Sequence, residues 1–377
     1  MKTIFSSVLL LVSVIACGKE NRFMTEPVVP VAEEPIPIVD VATLPDHTYL
    51  IKKGTETIKQ GLPTAALLPD GTILCVYPSD GKTRMSQSTD GGKTWEDVET
   101  PSDWSKLLHC PSIYYTVDPE GKERLVVYSA SGNTNMTYSE DNGETWTAVK
   151  SLGIPTVMSF TTLHRLPDCS YLGMSNRRPE GLSMPHNEVY AAISTDGGLT
   201  WGNTWTCVHE TENNIPCEPC IIPSPDGKKL AVVCRDNKRD GYSLVAFSED
   251  NGKTWTEPIE TPWGVTGDRH TYKYASDGRL VIVFEDMAKG RTHENLVAWV
   301  GNFEDLETGN DGQYKIKLLD NFGKGDSNYP ALILLSDGTF VAVTSVTYEP
   351  GNIKNSIVCS RFSLSETDAL FLQNTLQ

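Results

Sequence analysis

Along the chain, apolar or alternating runs of four to eight residues are cut at intervals by short turns rich in Asp, Pro and Gly. The six turns are Leu68-Pro69-Asp70-Gly71, Asp118-Pro119-Glu120-Gly121, Leu166-Pro167-Asp168-Cys169, Pro225-Asp226-Gly227, Ser276-Asp277-Gly278 and Ser336-Asp337-Gly338. A period of two, or a short unbroken apolar run between turn signals, predicts strands. No stretch sustains the 3.6-residue period of a long helix, so the pattern predicts an all-β chain.

An octet overlies this pattern. Ser88-Thr-Asp90-Gly-Gly92-Lys-Thr-Trp95 recurs as Ser139 to Trp146, Ser194 to Trp201 and Ser248 to Trp255. Self-similarity at roughly 50 residues marks a repeat architecture. Six such units need about 300 residues, which the chain supplies after residue 45. The expectation is a six-bladed β-propeller of four-stranded meanders over residues 46–377, with the octet lost from the last two blades. Within each octet the Asp can accept backbone N–H groups, the Gly supplies positive φ and the Trp covers the hairpin end. These residues are therefore read as structural rather than catalytic.

Strand direction then separates the two rims. In an antiparallel meander the first turn and the octet turn share one rim. The starts of the inner strands and the loops after the second strands share the other, where a propeller mouth takes ligands. Counting nine residues back from the turn glycines gives Glu218, Arg269 followed by His270, and Tyr329, with His109 near the equivalent point of blade 2. The loops on that rim add Asp80, Arg177-Arg178, Arg235 with Asp236 and Arg239, Glu285-Asp286, and Arg291 with His293.

Charge sharpens this. Lys and Arg total 32 against 49 Asp and Glu, a net charge of −17, which excludes a nucleic-acid backbone as partner. Six of the twelve arginines nevertheless fall on the one rim. Two readings stand: recognition of a ligand carboxylate, sulfate or phosphate, or solvated pairs with Asp236, Glu285 and Asp286. Cys217-x-x-Cys220 has no second pair, and the cysteines in apolar runs such as Cys75 and Cys234 read as core. No cofactor or metal is predicted.

The N-terminal segment is of a different kind. Ile4 to Ala16 is apolar, follows Lys2 and is too short to span a bilayer. Val14-Ile15-Ala16-Cys17 resembles the lipobox of bacterial lipoproteins, which implies export, lipidation at Cys17 and attachment to a membrane, the outer membrane being expected. Residues 18–45, with Pro27, Pro30, Pro35, Pro37 and Pro45, read as an extended tether.

The octet resembles the Asp-box, or bacterial neuraminidase repeat, and the chain from 46 to 377 is similar to sialidases. That resemblance implies a retaining glycosidase with an arginine triad for the substrate carboxylate, a Tyr nucleophile, a Glu that activates it and an Asp acid/base. Tyr329-Pro-Ala-Leu332 resembles the nucleophile strand, Glu218 the activating Glu, Arg235 the second triad arginine and Arg291 the third, with Asp80 where the acid/base lies. A neutral phenol suits an anomeric carbon that bears a carboxylate, and its pKa near 10 demands an adjacent base. The chain departs from the family at Gly61-Leu62-Pro63, where the first triad arginine is replaced by Gly61. Arg269 enters the funnel from another blade, and His270 beside it has the chemistry of an acid or base.

The activity implied is cofactor-free removal of a terminal, sialic-acid-type sugar from a glycan, with Arg177, Arg235, Arg269, His270 and Arg291 contacting substrate. Two alternatives stand beside it. One is a glycan-binding propeller without turnover, which Gly61 favours; the other is an enzyme acting on a different sugar.

Overall fold

Each of the six turn signals joins the first two strands of a separate sheet, four-stranded and antiparallel in five blades and extended by a fifth, parallel strand in blade 5. The computed structural model describes residues 35–54, 61–239, 241–323, 329–351 and 355–375. The segment carrying Lys2, Ile4–Ala16, Cys17 and most of the tether lies outside these residues. From the centre outward, blade 1 comprises Thr64–Leu67, Ile73–Ser79, Lys82–Ser88 and Glu96–Val98. Blades 2, 3, 4 and 5 begin at His109–Val117, Thr162–Arg165, Pro216–Pro223 and Gly267–Tyr274 and repeat this order.

Blade 6 is completed from the other end of the chain. Its strands Ala331–Leu334, Phe340–Val346 and Ser356–Phe362 are joined by Thr48–Lys52, which pairs antiparallel to the last of them with Thr48 opposite Ser360. The ring is thereby closed by hydrogen bonds between segments about 300 residues apart, which cover the edge of Ser356–Phe362. A further strand, Ile38–Asp40, pairs parallel to Tyr314–Leu319 of blade 5. Val39 and Val41 are buried there. This corrects the expected boundary at residue 45: the last part of the Pro-rich stretch belongs to the propeller, because its apolar residues alternate with the prolines and reach the blade 5–6 core.

The second strand of each blade is the most deeply covered. Leu230–Asp236 and Leu280–Asp286 are buried at every position, with neighbouring blades on both faces. Between blades 4 and 5 the core gathers Ile222, Val233, Ile282, Phe284 and Trp299. Full burial of such side chains is worth about 1.5–3 kcal/mol each.

The octets behave as local logic predicts. Asp90 Oδ1 accepts from the amides of Lys93 and Thr94 at 3.0 and 2.9 Å, Ser88 Oγ accepts from Gly92 N at 2.8 Å, and Trp95 Nε1 donates to the Gly92 carbonyl at 3.0 Å. The octets also lock blade to blade: Tyr128 of blade 2 donates to Gly198 O of the blade 3 octet at 2.7 Å. In blade 5 the equivalent connection is a short helix, Phe303–Thr308, and blade 6 is followed by the helix Leu364–Thr375.

These turns give a pH dependence. Hydrogen bonds from the Thr145 and Ser139 hydroxyls and the Thr145 amide hold Asp141 at about 2, below its ordinary 3.8. The folded state binds this proton less readily than the unfolded chain does. The stabilisation is complete above the ordinary value and is lost as pH falls toward 2. Asp90 and Asp250 are likewise held at about 2. Urea midpoints are expected to fall steeply between about pH 4 and pH 2. In Asp141→Asn that slope should be shallower.

Candidate active site

Three inner strands carry a non-glycine residue in the left-handed backbone region near the mouth end: Cys110 at φ 47°, Glu218 at 55° and Arg269 at 53°. At each of them the pairing with the second strand slips, between His109 and Ser112, Cys217 and Cys220, and Asp268 and Thr271. A bulge inserts one residue and re-aims its side chain. Such backbone costs about 1–3 kcal/mol per residue and is concentrated at functional sites. Here it brings Glu218 and Arg269 to the centre, 3% and 5% exposed.

Tyr329, delivered by the connection into blade 6, donates its hydroxyl hydrogen to Glu218 Oε1. Arg235, from the end of the second strand of blade 4, reaches the same two groups, with Nη1 3.2 Å from Tyr329 Oη and 3.4 Å from Glu218 Oε1. The Arg269 guanidinium lies against the Tyr329 ring, 5.7 Å from its centroid. A phenol, a carboxylate and two guanidinium groups from three blades thus meet at one point, as the strand count required. Two cations beside the phenol favour its ionised form, and Glu218 is placed to take the proton.

Further residues complete the cluster. Asp268 Oδ1 stands 3.2 Å from Arg235 Nε, and Asp268 Oδ2 accepts from Arg239. Asn237 Oδ1 accepts from Arg235 Nη2 at 3.1 Å. Burial disfavours the Arg235 charge, but Glu218 and Asp268 outweigh it and raise its pKa. Asn176 Oδ1 accepts from the Glu218 amide at 3.3 Å and steadies the bulge. Asp268, Asn176 and Asn237 were not singled out by the sequence. Asn176 had a signal: it occupies the same sixth position of its strand as Arg235 and Glu285 do in the next two blades.

Arg177 is a correction. It is one residue past Asn176, so alternation sends it to the opposite face. Its guanidinium donates to Glu188 Oε1 at 2.8 Å, Thr204 Oγ1 at 2.8 Å and Thr206 Oγ1 at 3.0 Å, binding the outer strands of blade 3 together. His270 is another. The bulge turns Arg269 toward the mouth and His270 into the wall, where Nε2 bonds the Val265 carbonyl at 2.8 Å and the ring packs on Phe284. Burial lowers its pKa to about 4, so the imidazole is neutral and enclosed. In blade 2, Cys110 rather than His109 takes the bulge position; burial pushes its thiol up to about 12, against the pull of Arg269.

The remaining expected residues are peripheral to the cluster. Asp80 and Gly81 form a two-residue hairpin turn with φ of 50° and 72°, and the Asp80 carboxylate is 3.7 Å from Arg84 Nη2. Arg291 is exposed on the loop 287–295, whose base is pinned where Asp286 accepts from Ala288 N and Thr292 Oγ1. At Gly61 a side chain would find room: a Cβ there would come no nearer than 3.8 Å, to Ser345 Oγ on blade 6. Cys217 and Cys220 are buried and unbridged, as core residues.

The fold and its centre define a six-bladed propeller with a phenol–carboxylate–guanidinium cluster at the mouth of the ring. The BNR repeat-like domain matches residues 50–211 and again 184–342, and the chain belongs to that family. It is 24% identical over 346 residues to a sialidase of Micromonospora viridifaciens, covering 77% of this chain. The chain spans about half the length of that relative, 50%. Among solved structures it is similar to an α-L-arabinofuranosidase of Fusarium graminearum, with a TM-score of 0.64 at 15% identity over 85% of this chain and 99% of that one. An intramolecular trans-sialidase of Ruminococcus gnavus matches with a TM-score of 0.51 at 15% identity, over 84% and 96% of the two chains. At such identities the structural likeness establishes the fold.

Proposed function

We propose that this protein is a retaining exo-glycosidase of sialidase type, with Tyr329 as nucleophile and Glu218 as its base. The observation that carries the reading is the hydrogen bond from Tyr329 to Glu218 across the mouth of the ring, with Arg235 on both partners. Transfer of the phenol proton to Glu218 lets the oxygen attack an anomeric carbon. A neutral phenol, deprotonated only as it attacks, approaches a carbon bearing a carboxylate without the repulsion that a carboxylate nucleophile would meet. Arg269, under the Tyr329 ring, supplies positive charge beside that carbon. Water, giving a proton to the Asp80 carboxylate that has already protonated the departing sugar oxygen, then resolves the glycosyl–tyrosine bond, with Glu218 returning its proton to the phenolate. The lipobox-like Val14-Ile15-Ala16-Cys17 supports attachment to a membrane surface through lipidation at Cys17 as part of this proposal.

Asp80 is the candidate for protonating the leaving oxygen, since its carboxyl is exposed at the hairpin tip of blade 1 on the mouth rim. Asp80→Asn is expected to lower kcat/KM on a natural sialoside by about 10²–10⁴-fold. With an aryl sialoside, whose phenol leaves without a proton, the loss should be small. Equal losses on both substrates would remove Asp80 from this role.

A second reading, a glycosidase for a terminal sugar without a carboxylate, is favoured by Gly61 and by the surroundings of Arg235. The missing arginine removes a charge-assisted contact worth about 1.5–3 kcal/mol. Arg235 is already surrounded by Glu218, Asp268, Asn237 and Tyr329. Incubation with fluorogenic sialoside and arabinofuranoside separates the two. Release from the sialoside supports the first reading, release from the arabinofuranoside alone supports the second, and binding of sialyl glycans without release overturns both.

A further inference from the structure

Glu218 stands on a bulge with its backbone in the left-handed region, a conformation its surroundings have to impose. The hold comes from blade 3. Asn176 Oδ1 accepts from the Glu218 amide at 3.3 Å, and Asn176 Nδ2 donates to Asn187 Oδ1 at 3.0 Å. Asn187 closes the loop 178–187, just ahead of the third strand Glu188–Ser194. Its Nδ2 donates to the Pro185 carbonyl at 3.3 Å, and its backbone amide donates to Glu210 Oε2 at 3.2 Å. Glu210 Oε1 in turn lies 2.8 Å from His186 Nδ1 on the same loop. Asn176, Asn187 and Glu218 are 2%, 4% and 3% exposed, so bulk water does not replace a lost partner. The chain also sets the direction of each carboxamide, which has its donor on one side and its acceptor on the other. The Pro185 carbonyl takes Asn187 Nδ2 and so turns Asn187 Oδ1 toward Asn176. That oxygen takes Asn176 Nδ2 and so turns Asn176 Oδ1 toward the Glu218 N–H. A reversed Asn176 would set its NH2 against that N–H, donor facing donor.

We propose that Asn187 is a positioning residue for Glu218. Acting through Asn176, it fixes the bulge that puts Glu218 Oε1 on the Tyr329 hydroxyl. Among the described contacts it makes none with Tyr329, Arg235 or Arg269. Its effect on turnover rests on the reading of Glu218 as the base of a glycosidase; its hold on the bulge does not.

The test reads position and turnover separately on the full chain. Hydrogen exchange at the Glu218 amide, resolved by mass spectrometry with fragmentation, should be faster by about tenfold or more in Asn187→Leu. Asn176→Leu should show the same rise, and the double variant no more than Asn176→Leu alone, because the two act in series. Leu182→Ser, at a 45% exposed position of the same loop, should exchange as the wild type does. In Asn187→Leu, kcat on the hydrolysed glycoside should fall about tenfold to hundredfold with KM within about twofold. Glu210→Ala, at the partly exposed outer end of the chain, should move exchange and kcat the same way by less. It decides the matter if circular dichroism shows Asn187→Leu unfolded. Wild-type exchange at Glu218 in the folded variants, or wild-type kcat where exchange has risen, overturns the proposal. Faster exchange in a protein whose wild type hydrolyses no glycoside supports the hold on the bulge and overturns the glycosidase reading alone.

Discussion

Tyr329→Phe is expected to reduce glycoside turnover by on the order of 10³-fold or more, since it removes the nucleophilic oxygen and leaves the rest of the cluster in place. The phenylalanine ring keeps its place against Arg269, and Arg235 still pairs with Glu218 at 3.4 Å. The hydrogen bonds of the phenol to Glu218 and from Arg235 are lost from the fold, an effect of about 1.5–3 kcal/mol each at most. Kinetics on a fluorogenic sialoside and a urea melt of the same preparation separate chemistry from folding. Turnover within tenfold of wild type would take Tyr329 out of the reaction, whatever the substrate. Loss of turnover with loss of folding would be resolved by Glu218→Gln, which keeps the hydrogen-bonded shape and removes the base. That variant should also be inactive.

Asp286→Ala is expected to lower stability by about 3–5 kcal/mol, read as a fall in the urea midpoint. Asp286 and Lys315 are completely buried, 2.9 Å apart, with the Lys315 ammonium 4.2 Å from the centroid of the Trp263 ring. Removing the carboxylate leaves that ammonium in a low-dielectric interior with no anion beside it. It also frees Ala288 N and Thr292 Oγ1, and with them the base of the loop that carries Arg291. The contrast lies at the surface. Lys228 and Asp226 are 3.1 Å apart but mostly exposed, and Asp226 also anchors the first turn of blade 4. Lys228→Ala, which removes only the exposed charge, should cost no more than about 1 kcal/mol. Replacing Asp286 and Lys315 together by Leu and Met should restore much of the loss. Equal effects from the buried and exposed pairs would contradict the burial assigned to Asp286.

How much of the site was legible depended on what set each residue's direction. Glu218, Arg269 and Tyr329 could be found by counting from turn glycines, and Arg235 by its loop on the same rim, because the four-stranded repeat fixes the number of residues between turn and mouth. Arg177 was misplaced by one position, and in a strand one position reverses the face. Had the second strands of blades 3, 4 and 5 been superposed, Asn176 would have stood in line with Arg235 and Glu285. His270 was misplaced for a different reason. The bulge at Arg269 adds a residue to one strand without changing the apolar pattern, so nothing in the sequence announces that the next side chain turns inward. The start of the domain was misjudged because proline density hid the short strand Ile38–Asp40, which pairs only once blade 5 exists.

The sequence alone determined the repeat, the number of blades and the rim that bears the arginines, because turn chemistry and strand alternation act over a few residues. Tertiary structure decided which side chains meet. Closure of the ring by Thr48–Lys52, the bulges that aim Glu218 and Arg269, and the pairing of Arg235 with Asp268 join residues far apart in the chain. Their energies depend on burial and distance, which exist only after the blades have packed.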